Sequence, residues 1–246
     1  MERKDLEKYE TDYTELPFED ILREFRQKNI FSILKCNPHA TILEIGSGPL
    51  PLFRDFNDYE KMVVVEPGVA FFEIAKKLAN GNTRIRLIND FFETVVQELV
   101  PETFDIIIIG GFLHEISNPE EVLQAVKKVS GKNTIIHSFV PNANSFHRLV
   151  AFEMGIIKDV YQKSGHDELF NRVEVYNMDS FKKLFTQNGL TVASSGTYFL
   201  KPFTNGQMDK IVTANIIDHA VLDGLNKMTK YFPDYGSEMY INSYVT

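Results

Sequence analysis

A glycine-rich turn between two apolar runs constrains this chain more than any other feature. The first run, Thr41-Ile-Leu-Glu-Ile45, has the composition of a strand and stops at Gly46-Ser-Gly48. The second run, Met62-Val-Val-Val-Glu66, ends in a carboxylate. Glycine lets the backbone adopt torsion angles that a Cβ atom would forbid, and it lets the backbone pass close to a ligand. A strand, a glycine turn, a helix and a second strand ending in an acid predict half of a nucleoside-binding sheet, in which Glu66 accepts hydrogen bonds from a ribose.

The turn departs from the G-x-G-x-x-G fingerprint of dinucleotide-binding proteins, in which a pyrophosphate sits on the following helix N-terminus. Pro51 occupies the third glycine position, and Pro49 also lies in the turn. Glu44, two residues before Gly46, would repel a pyrophosphate but suits a cationic amino acid and a sulfonium. The turn therefore favours a cationic adenosine derivative over a dinucleotide.

Four features follow one another in linear order between Thr41 and Ser138. They are the glycine turn, the second run with its terminal acid, Asn89-Asp90, and the run Phe104-Asp105-Ile-Ile-Ile-Ile109. In this order they resemble the class I S-adenosylmethionine-dependent methyltransferases, whose first motif reads roughly hh-E/D-h-G-x-G, where h is apolar. The resemblance implies S-adenosylmethionine as the cofactor. It also implies an α/β fold with a doubly wound, seven-stranded, mostly parallel sheet whose last strand is antiparallel.

The hydrophobic pattern predicts alternating strands and helices, with strands that are apolar on both faces like those of a covered parallel sheet. We expect one domain with an N-terminal arm and helix (1–36), a cofactor-binding half (41–138), a lid over the acceptor (141–176) and a C-terminal part of the sheet (178–246). The predicted helices cover residues 18–34, 69–79, 91–99, 119–129, 178–187 and 207–230. The predicted strands cover residues 41–45, 62–66, 84–88, 104–109, 133–138, 191–200 and 237–245.

The resemblance assigns cofactor contacts to residues at the ends of the predicted strands. The residues that it implies are Glu44, Gly46, Ser47, Gly48, Glu66, Pro67, Asn89, Asp90, Phe91 and Gly110. Within this set it places Asp90 at the adenine amino group and Phe91 or Phe92 against the adenine ring. An acid that precedes a helix also serves as a simple N-cap, so Glu66 and Asp90 each keep a structural alternative.

Two histidines follow predicted strands at the edge of the sheet where ligands bind in this kind of fold. His114 lies in Gly110-Gly-Phe-Leu-His-Glu-Ile116, where the resemblance places residues around the transferred methyl group, and His137 ends the fifth strand. Either histidine can act as a general base for a hydroxyl acceptor. We favour His114, because the fourth strand points at the methyl group in this fold. The alternative for each is a packed histidine without a catalytic role.

The segment after the fifth strand suggests an acceptor site. Val140-Pro-Asn-Ala-Asn-Ser-Phe-His-Arg148 resembles a stretch of bacterial methyltransferases of polysaccharide and secondary-metabolite pathways. The residues expected to bind a hydroxylated or anionic acceptor are Asn142, Asn144, His147 and Arg148. The alternative is that the asparagines serve turns and caps. His166-Asp167 and Arg172 form a weaker second cluster in the same predicted lid.

Composition and charge limit the classes of partner that this chain can bind. The net charge is −8 and no long basic run occurs, which disfavours a nucleic-acid substrate. The longest apolar run, Ile106–Leu113, is far shorter than the roughly 20 residues that a membrane span needs. The histidines lack metal-ligand spacing, and the single cysteine, Cys36, is expected to pack as a small residue and can form no internal disulfide. We therefore expect a cytoplasmic protein with a small-molecule acceptor, no metal, no nucleic acid and no membrane partner, and we leave a homodimer open.

The predicted reaction transfers a methyl group from S-adenosylmethionine to an O or N atom of a small molecule. The acceptor that we favour is a sugar or a sugar-like intermediate of surface-polysaccharide or natural-product assembly. Three alternatives stay open. The turn Gly46–Pro51 also looks like that of nicotianamine synthases, which transfer an aminocarboxypropyl group. The chain can also be a non-catalytic S-adenosylmethionine-binding partner, or an NAD-linked oxidoreductase, against which Pro51 and Glu44 argue.

Overall fold

The computed structural model describes residues 3–14, 16–163, 165 and 172–245. The strands within them are β1 (Ala40–Ile45), β2 (Tyr59–Val65), β3 (Ile85–Ile88), β4 (Phe104–Ile109), β5 (Ser130–Pro141), β6 (Leu190–Tyr198) and β7 (Glu238–Val245). They form one seven-stranded sheet in the order β3-β2-β1-β4-β5-β7-β6. Neighbours among β1 to β5 pair in parallel, whereas β7 pairs antiparallel with both β5 and β6. This topology confirms the predicted mostly parallel sheet with an antiparallel last strand.

Helices cover both faces of the sheet. Those in the described ranges are α1 (Arg3–Thr14), α2 (Glu19–Lys35), α3 (Val69–Ala79), α4 (Phe92–Leu99), α5 (Pro119–Lys128), α6 (Phe146–Glu153), α7 (Met178–Gln187), α8 (Asn205–Thr213) and α9 (His219–Lys227). Leu43, Val63 and Ile107 pack with residues of α4, α5 and α7, whereas Ile42 and Val64 pack with residues of α2 and α3. Successive strand residues therefore face opposite layers, which explains why the strands are apolar throughout. None of these described helices is long and apolar enough to cross a membrane.

Some predicted elements are wrong. The segment expected to be an N-terminal arm contains α1, and the connection between β1 and β2 holds only a single 3₁₀ turn, Leu52–Arg54, in place of a helix. The helix predicted over 207–230 is interrupted, because Asn215 has a φ angle of 55° and Asp218 accepts a hydrogen bond from the Val221 N–H at 3.0 Å. A left-handed residue followed by an N-cap ends one helix and begins the next. The Cys36 side chain is exposed rather than packed.

The register of the central strands brings three chain segments together. Ile45, the last residue of β1, pairs with Val65 of β2 on one side and with Ile109 of β4 on the other. The residue that follows each strand therefore lies at the same edge of the sheet. These residues are Gly46, Glu66 and Gly110.

Candidate functional site

A cavity of about 490 Å³ lies at this carboxyl edge of the sheet. Its volume falls in the range of small-molecule sites, about 300–1,000 Å³. The turns after β1, β2 and β4 form its walls together with residues of α1 and α2. The predicted cofactor residues that line it are Glu44, Gly46, Ser47, Gly48, Glu66, Pro67, Phe91 and Gly110. The structure thus brings most of the predicted set together around one space.

Backbone forms the part of the cavity wall nearest to the strand ends. Gly46 and Gly48 have φ angles of 74° and 60°, in the left-handed region that favours glycine. The Gly110 N–H donates a hydrogen bond to the Ile45 carbonyl oxygen at 2.7 Å, which fixes the end of β4 against the end of β1. Because the wall has no side chains at these positions, a ligand can approach the main chain closely.

Glu66 is buried and aims its carboxylate at the glycine turn. Its Oε2 accepts hydrogen bonds from the Gly48 N–H at 2.9 Å and from the Ser47 hydroxyl at 3.3 Å. Its Oε1 accepts a hydrogen bond from the Gly68 N–H at 2.9 Å. Burial raises the pKa of Glu66 and these hydrogen bonds oppose the rise, while the nearby charge of Glu10 adds to it. The carboxylate thus lies between the first and second strand ends, where the resemblance places the ribose.

The cap of α3 comes from elsewhere in the chain. The Phe71 N–H, three residues after the N-cap Gly68, donates to Oε1 of Glu10 at 3.0 Å. Glu10, and not Glu66, therefore caps the third amide of α3. This geometry argues against the structural alternative for Glu66, and its contact with a ribose stays a prediction.

Glu44 is a second buried carboxyl in the cavity wall. Its Oε2 accepts a hydrogen bond from the Leu52 N–H at 3.1 Å. Burial, together with the charge of Glu66, raises the pKa of Glu44 to about 8. The group therefore carries a proton at neutral pH until a cation comes near. A cationic ligand would lower its pKa and ionise it, which suits the predicted role beside a sulfonium.

Asn89 and Asp90 do not line the cavity. The Asn89 side-chain amide donates to the carbonyl oxygens of Glu66 at 2.9 Å and Pro67 at 3.2 Å, and thereby holds the segment after β2. An Asp90 carboxylate oxygen accepts a hydrogen bond from the Phe91 N–H at 2.8 Å. Both side chains are thus engaged with nearby backbone, and their predicted contacts with the cofactor stay predictions.

His114 lies in the cavity wall and is buried beside an acid. Its Nε2 is 3.4 Å from Oε1 of Glu115, and Nε of Arg172 is 3.7 Å from the same oxygen. The Tyr9 side chain of α1 forms a hydrogen bond with Glu115 as well. Burial raises the pKa of Glu115 to about 7, although Arg172 and Tyr9 act in the opposite direction. A histidine beside an acid that titrates near neutral pH is suited to proton transfer.

His137 occupies a different environment. It lies inside the sheet with no exposed surface, and its Nδ1 is 2.7 Å from Oδ1 of Asn242 on β7. Its ring stacks on Tyr240 with the ring centroids 5.8 Å apart. Burial lowers the pKa of His137 to about 4. Since it does not line the cavity, the structure favours the packed alternative for this histidine.

The predicted acceptor residues also lie outside the cavity lining. They are Asn142, Asn144, His147 and Arg148. The Asn142 amide donates to two backbone carbonyl groups before β7 at 2.8 and 2.9 Å, and its Oδ1 accepts from the Asn144 N–H at 3.0 Å. The Arg148 guanidinium donates to the Val160 carbonyl oxygen at 2.8 Å. For Asn142 this is the alternative stated above, a role in a turn, in which Asn144 takes part through its backbone N–H.

Among the described residues, the cover of the cavity comes from the N-terminal helices and hardly from the predicted lid. Of the described residues between 141 and 176, only Pro141 and Arg172 line the cavity, and His166 and Asp167 lie outside the described residues. The residues of α1 that line it are Leu6, Tyr9, Glu10 and Tyr13. This spacing of three, one and three places one face of a helix against the cavity. The spacing of these residues was the sequence signal for α1, but the polar composition of the segment concealed it.

A buried ion cluster forms another part of the wall. Nη2 of Arg26 lies 2.8 Å from Oε1 of Glu19 and 2.9 Å from Oε1 of Glu238, and its Nε donates to Oε2 of Glu238 at 3.0 Å. The Tyr13 hydroxyl donates to Glu19 at 2.8 Å. The guanidinium carbon lies 5.0 Å from the centroid of the Phe139 ring. The cluster thus joins α1, α2, β5 and β7. In the described part of the chain, no group of three or more His, Cys, Asp or Glu residues is placed to hold a metal ion.

No protein-family model matches this chain, and no curated protein matches it significantly. Solved structures do match it. An S-adenosylmethionine-dependent methyltransferase of Thermotoga maritima, described as a possible histamine N-methyltransferase, is 13% identical with a TM-score of 0.61, over 98% of this chain and 100% of that chain. The plantazolicin methyltransferase BamL, in complex with a triazolic desmethylPZN analog and SAH, is 15% identical with a TM-score of 0.54, over 87% of this chain and 79% of that chain.

The mitomycin 7-O-methyltransferase MmcR is 14% identical with a TM-score of 0.51, over 85% of this chain and 49% of that chain. The present chain therefore spans about half the length of that protein. At sequence identities this low, these matches show a similarity of fold alone. The strand order, the antiparallel β7 and the cavity at the carboxyl edge agree with it. We conclude that this chain has the fold of the S-adenosylmethionine-dependent methyltransferases.

Proposed function

We propose that this protein binds S-adenosylmethionine and transfers its methyl group to an O or N atom of a small molecule. The observation that carries this proposal is the position of Glu66, a buried carboxylate aimed at the turn Gly46–Gly48 inside the cavity. A carboxylate accepts hydrogen bonds from both hydroxyl groups of a ribose, and the glycine turn leaves room for the adjoining part of the ligand. The structural neighbours described as S-adenosylmethionine-dependent methyltransferases support the same ligand.

The lining residues fit the parts of this cofactor. Glu66 would hold the ribose, Phe91 would pack against the adenine ring, and the backbone of Gly46 and Gly110 would lie beside the methionine part. Glu44 would ionise beside the positive charge, because a nearby cation favours a carboxylate. When bound, the cofactor supplies a methyl group on an activated sulfonium. The work left to the chain is to align the acceptor, exclude water and, for a hydroxyl acceptor, accept its proton.

His114 is the base that we favour for a hydroxyl acceptor. His114 lies in the cavity wall. The neighbouring Glu115, in its ionised form, would stabilise the protonated imidazole. Replacement by asparagine should lower kcat by about 10²–10⁴ with a hydroxyl acceptor and much less with an amine, with little change in cofactor affinity. The same substitution at His137 should affect stability rather than turnover, because that side chain lies outside the cavity lining.

For the acceptor we retain a sugar-like or natural-product intermediate. Two of the neighbours named above are described as methyltransferases of mitomycin and plantazolicin, which supports the natural-product part of this proposal.

The net charge of −8 argues against a nucleic-acid substrate, and the single exposed cysteine, Cys36, fits a reducing cytoplasm. Mass analysis of the product separates methyl transfer from the aminocarboxypropyl alternative.

Calorimetric titration tests the proposed cofactor. S-adenosylhomocysteine is titrated into the wild type, Glu66→Gln and the matched control Glu60→Gln, which alters an exposed residue of β2, the strand that Glu66 follows. We expect Glu66→Gln to weaken binding by about tenfold to a hundredfold, equivalent to about 1.5–3 kcal/mol for hydrogen bonds to a charged group. The control should bind like the wild type. Wild-type protein that binds NADH but not S-adenosylhomocysteine would contradict the proposal, as would unchanged affinity in Glu66→Gln.

A further inference from the structure

We infer that Glu10 of α1 is part of the cofactor site, and that cofactor binding and docking of α1 strengthen each other. The inference rests on the proposed function only in taking a ribose-containing ligand to occupy the cavity. It adds a binding residue and a coupling that the glycine turn and the strand ends do not supply.

Glu10 and Glu66 lie beside each other although they belong to different parts of the fold. A Cβ atom built on Gly68 would lie 2.4 Å from Oε1 of Glu10 and 3.0 Å from Oε1 of Glu66. Both side chains line the cavity, and Glu10 is only 6% exposed. The ribose end of the proposed site thus has two carboxylates, one from the sheet and one from α1.

The carboxylates of Glu10 and Glu66 are both buried and both lie close to Gly68, so their charges repel each other. The start of α3 offsets part of the repulsion, because the Gly68 N–H donates to Glu66 and the Phe71 N–H donates to Glu10. The remaining repulsion opposes the docking of α1, because docking brings Glu10 close to Glu66. Hydroxyl groups of a ribose that donate to these oxygens would stabilise both charges. A bound cofactor therefore favours the docked helix.

The other contacts of α1 are also made around the cavity. The Tyr9 side chain bonds to Glu115, and the Tyr13 hydroxyl donates to Glu19 at 2.8 Å. The Tyr13 ring meets the edge of Phe71 with the centroids 6.1 Å apart. The helix is thus held by groups in the wall that it completes, so undocking would open the cavity. Thermodynamic linkage then requires that docking of α1 raises the cofactor affinity by the same factor by which bound cofactor raises the docking constant.

Hydrogen exchange of the α1 amides tests this coupling in the unmodified protein. Saturation with S-adenosylhomocysteine should slow exchange in residues 3–14 by about 5-fold to 150-fold, the usual range of coupling between sites. No slowing in these residues when the ligand is bound would overturn the inference. If the wild type did not bind S-adenosylhomocysteine at all, the proposed function itself would fail, so the two failures are distinguishable.

A matched pair of variants on α1 tests the role of Glu10. Glu10→Gln keeps an acceptor for the Phe71 N–H but removes the charge, whereas Glu7→Gln changes an exposed residue of the same helix. We expect Glu10→Gln to weaken S-adenosylhomocysteine binding by about fivefold to tenfold and to reduce the slowing of exchange, because a neutral acceptor forms the weaker hydrogen bond. Glu7→Gln should match the wild type. Equal affinity and equal slowing in both variants would overturn the assignment of Glu10.

A probe without ribose hydroxyl groups locates the contact. The wild type and Glu10→Gln are each titrated with adenosine and with 2′,3′-dideoxyadenosine. If Glu10 acts through the ribose, the affinity ratio between the two proteins should be large for adenosine and close to one for the dideoxy probe. The same ratio for both probes would show that Glu10 does not act through the ribose hydroxyl groups.

Discussion

A Cβ atom on Gly110 would lie 2.2 Å from the carbonyl oxygen of Gly46. The ends of β4 and β1 therefore touch through their backbones, with no room for a methyl group between them. The carbonyl oxygen of Ile45 would also be close, at 3.0 Å. Since these strand ends form one wall of the cavity, their separation decides whether the site can form.

Gly110→Ala should disrupt the site. The added methyl group forces the two strand ends apart, and overpacking of this kind costs about 1–3 kcal/mol of stability. We expect a lower Tm and a large loss of S-adenosylhomocysteine affinity. Gly224→Ala is the matched control, because a Cβ atom there meets nothing within 4 Å and the residue lies inside α9. That change should raise stability by about 1 kcal/mol. Wild-type affinity in Gly110→Ala would show that the contact is not critical.

Glu44→Gln should change how stability depends on pH. Burial raises the pKa of Glu44 from 4.5 to about 8, so the folded chain holds this proton more tightly than the unfolded chain does. The contribution of Glu44 to the free energy of unfolding should therefore fall between about pH 4.5 and pH 8 as the buried group ionises. Glutamine cannot ionise and keeps an acceptor for the Leu52 N–H. We expect the variant without ligand to exceed the wild type in Tm at pH 8 and to approach it at pH 5.

The exposed Glu60→Gln provides the comparison for Glu44→Gln. It should leave the pH profile of the Tm unchanged, because its charge is exposed to water in both states. Parallel profiles for the wild type and Glu44→Gln would contradict the assigned burial cost.

Arg26→Met should unfold far more easily than the wild type. It would leave Glu19 and Glu238 buried without their cation, a loss that costs about 3–5 kcal/mol. Lys28→Met on the same helix is the control, since Lys28 is exposed and pairs with Glu24 at the surface, and such pairs contribute about 0–1 kcal/mol. Urea unfolding of the two variants measures the difference. Similar midpoints would mean that the buried cluster contributes little beyond a surface pair.

His137→Phe should flatten the acid side of the stability profile. Burial lowers the pKa of His137 from 6.5 to about 4, so the folded chain binds this proton less tightly than the unfolded chain does. Its contribution is present above pH 6.5 and is lost as the pH falls towards 4. Phenylalanine retains a ring against Tyr240 but has no titrating nitrogen. The slope of unfolding free energy against pH between these limits is the measurement, and an unchanged slope would point to other groups.

The sequence allowed prediction of features whose signals lie close together along the chain. The turn at Gly46 and the acid at Glu66 each follow a strand directly, so parallel pairing alone brings them to one edge. The succession of strands along the chain follows from the same local patterns, whereas the antiparallel β7 follows from the resemblance. Such features need no knowledge of distant contacts.

The rest of the site depends on contacts that no local pattern contains. Arg26 binds Glu238, which lies 212 positions further along the chain, and nothing near either residue in sequence indicates the pair. Asn142 illustrates a second difficulty, because an asparagine that closes a turn and one that binds a ligand look alike in sequence. His137 and His114 both follow strands, and only the packing around each one separates a core residue from a cavity residue.

The insertion of β7 between β5 and β6 has a consequence for protein synthesis. Both neighbours leave the ribosome before Glu238 does, so the growing chain holds two strands whose facing edges have no partner. Unpaired edges of this kind invite association with other chains. A transcript cut short between β6 and β7 would therefore yield a product prone to aggregation and degradation, even though every residue of the glycine turn would already be present.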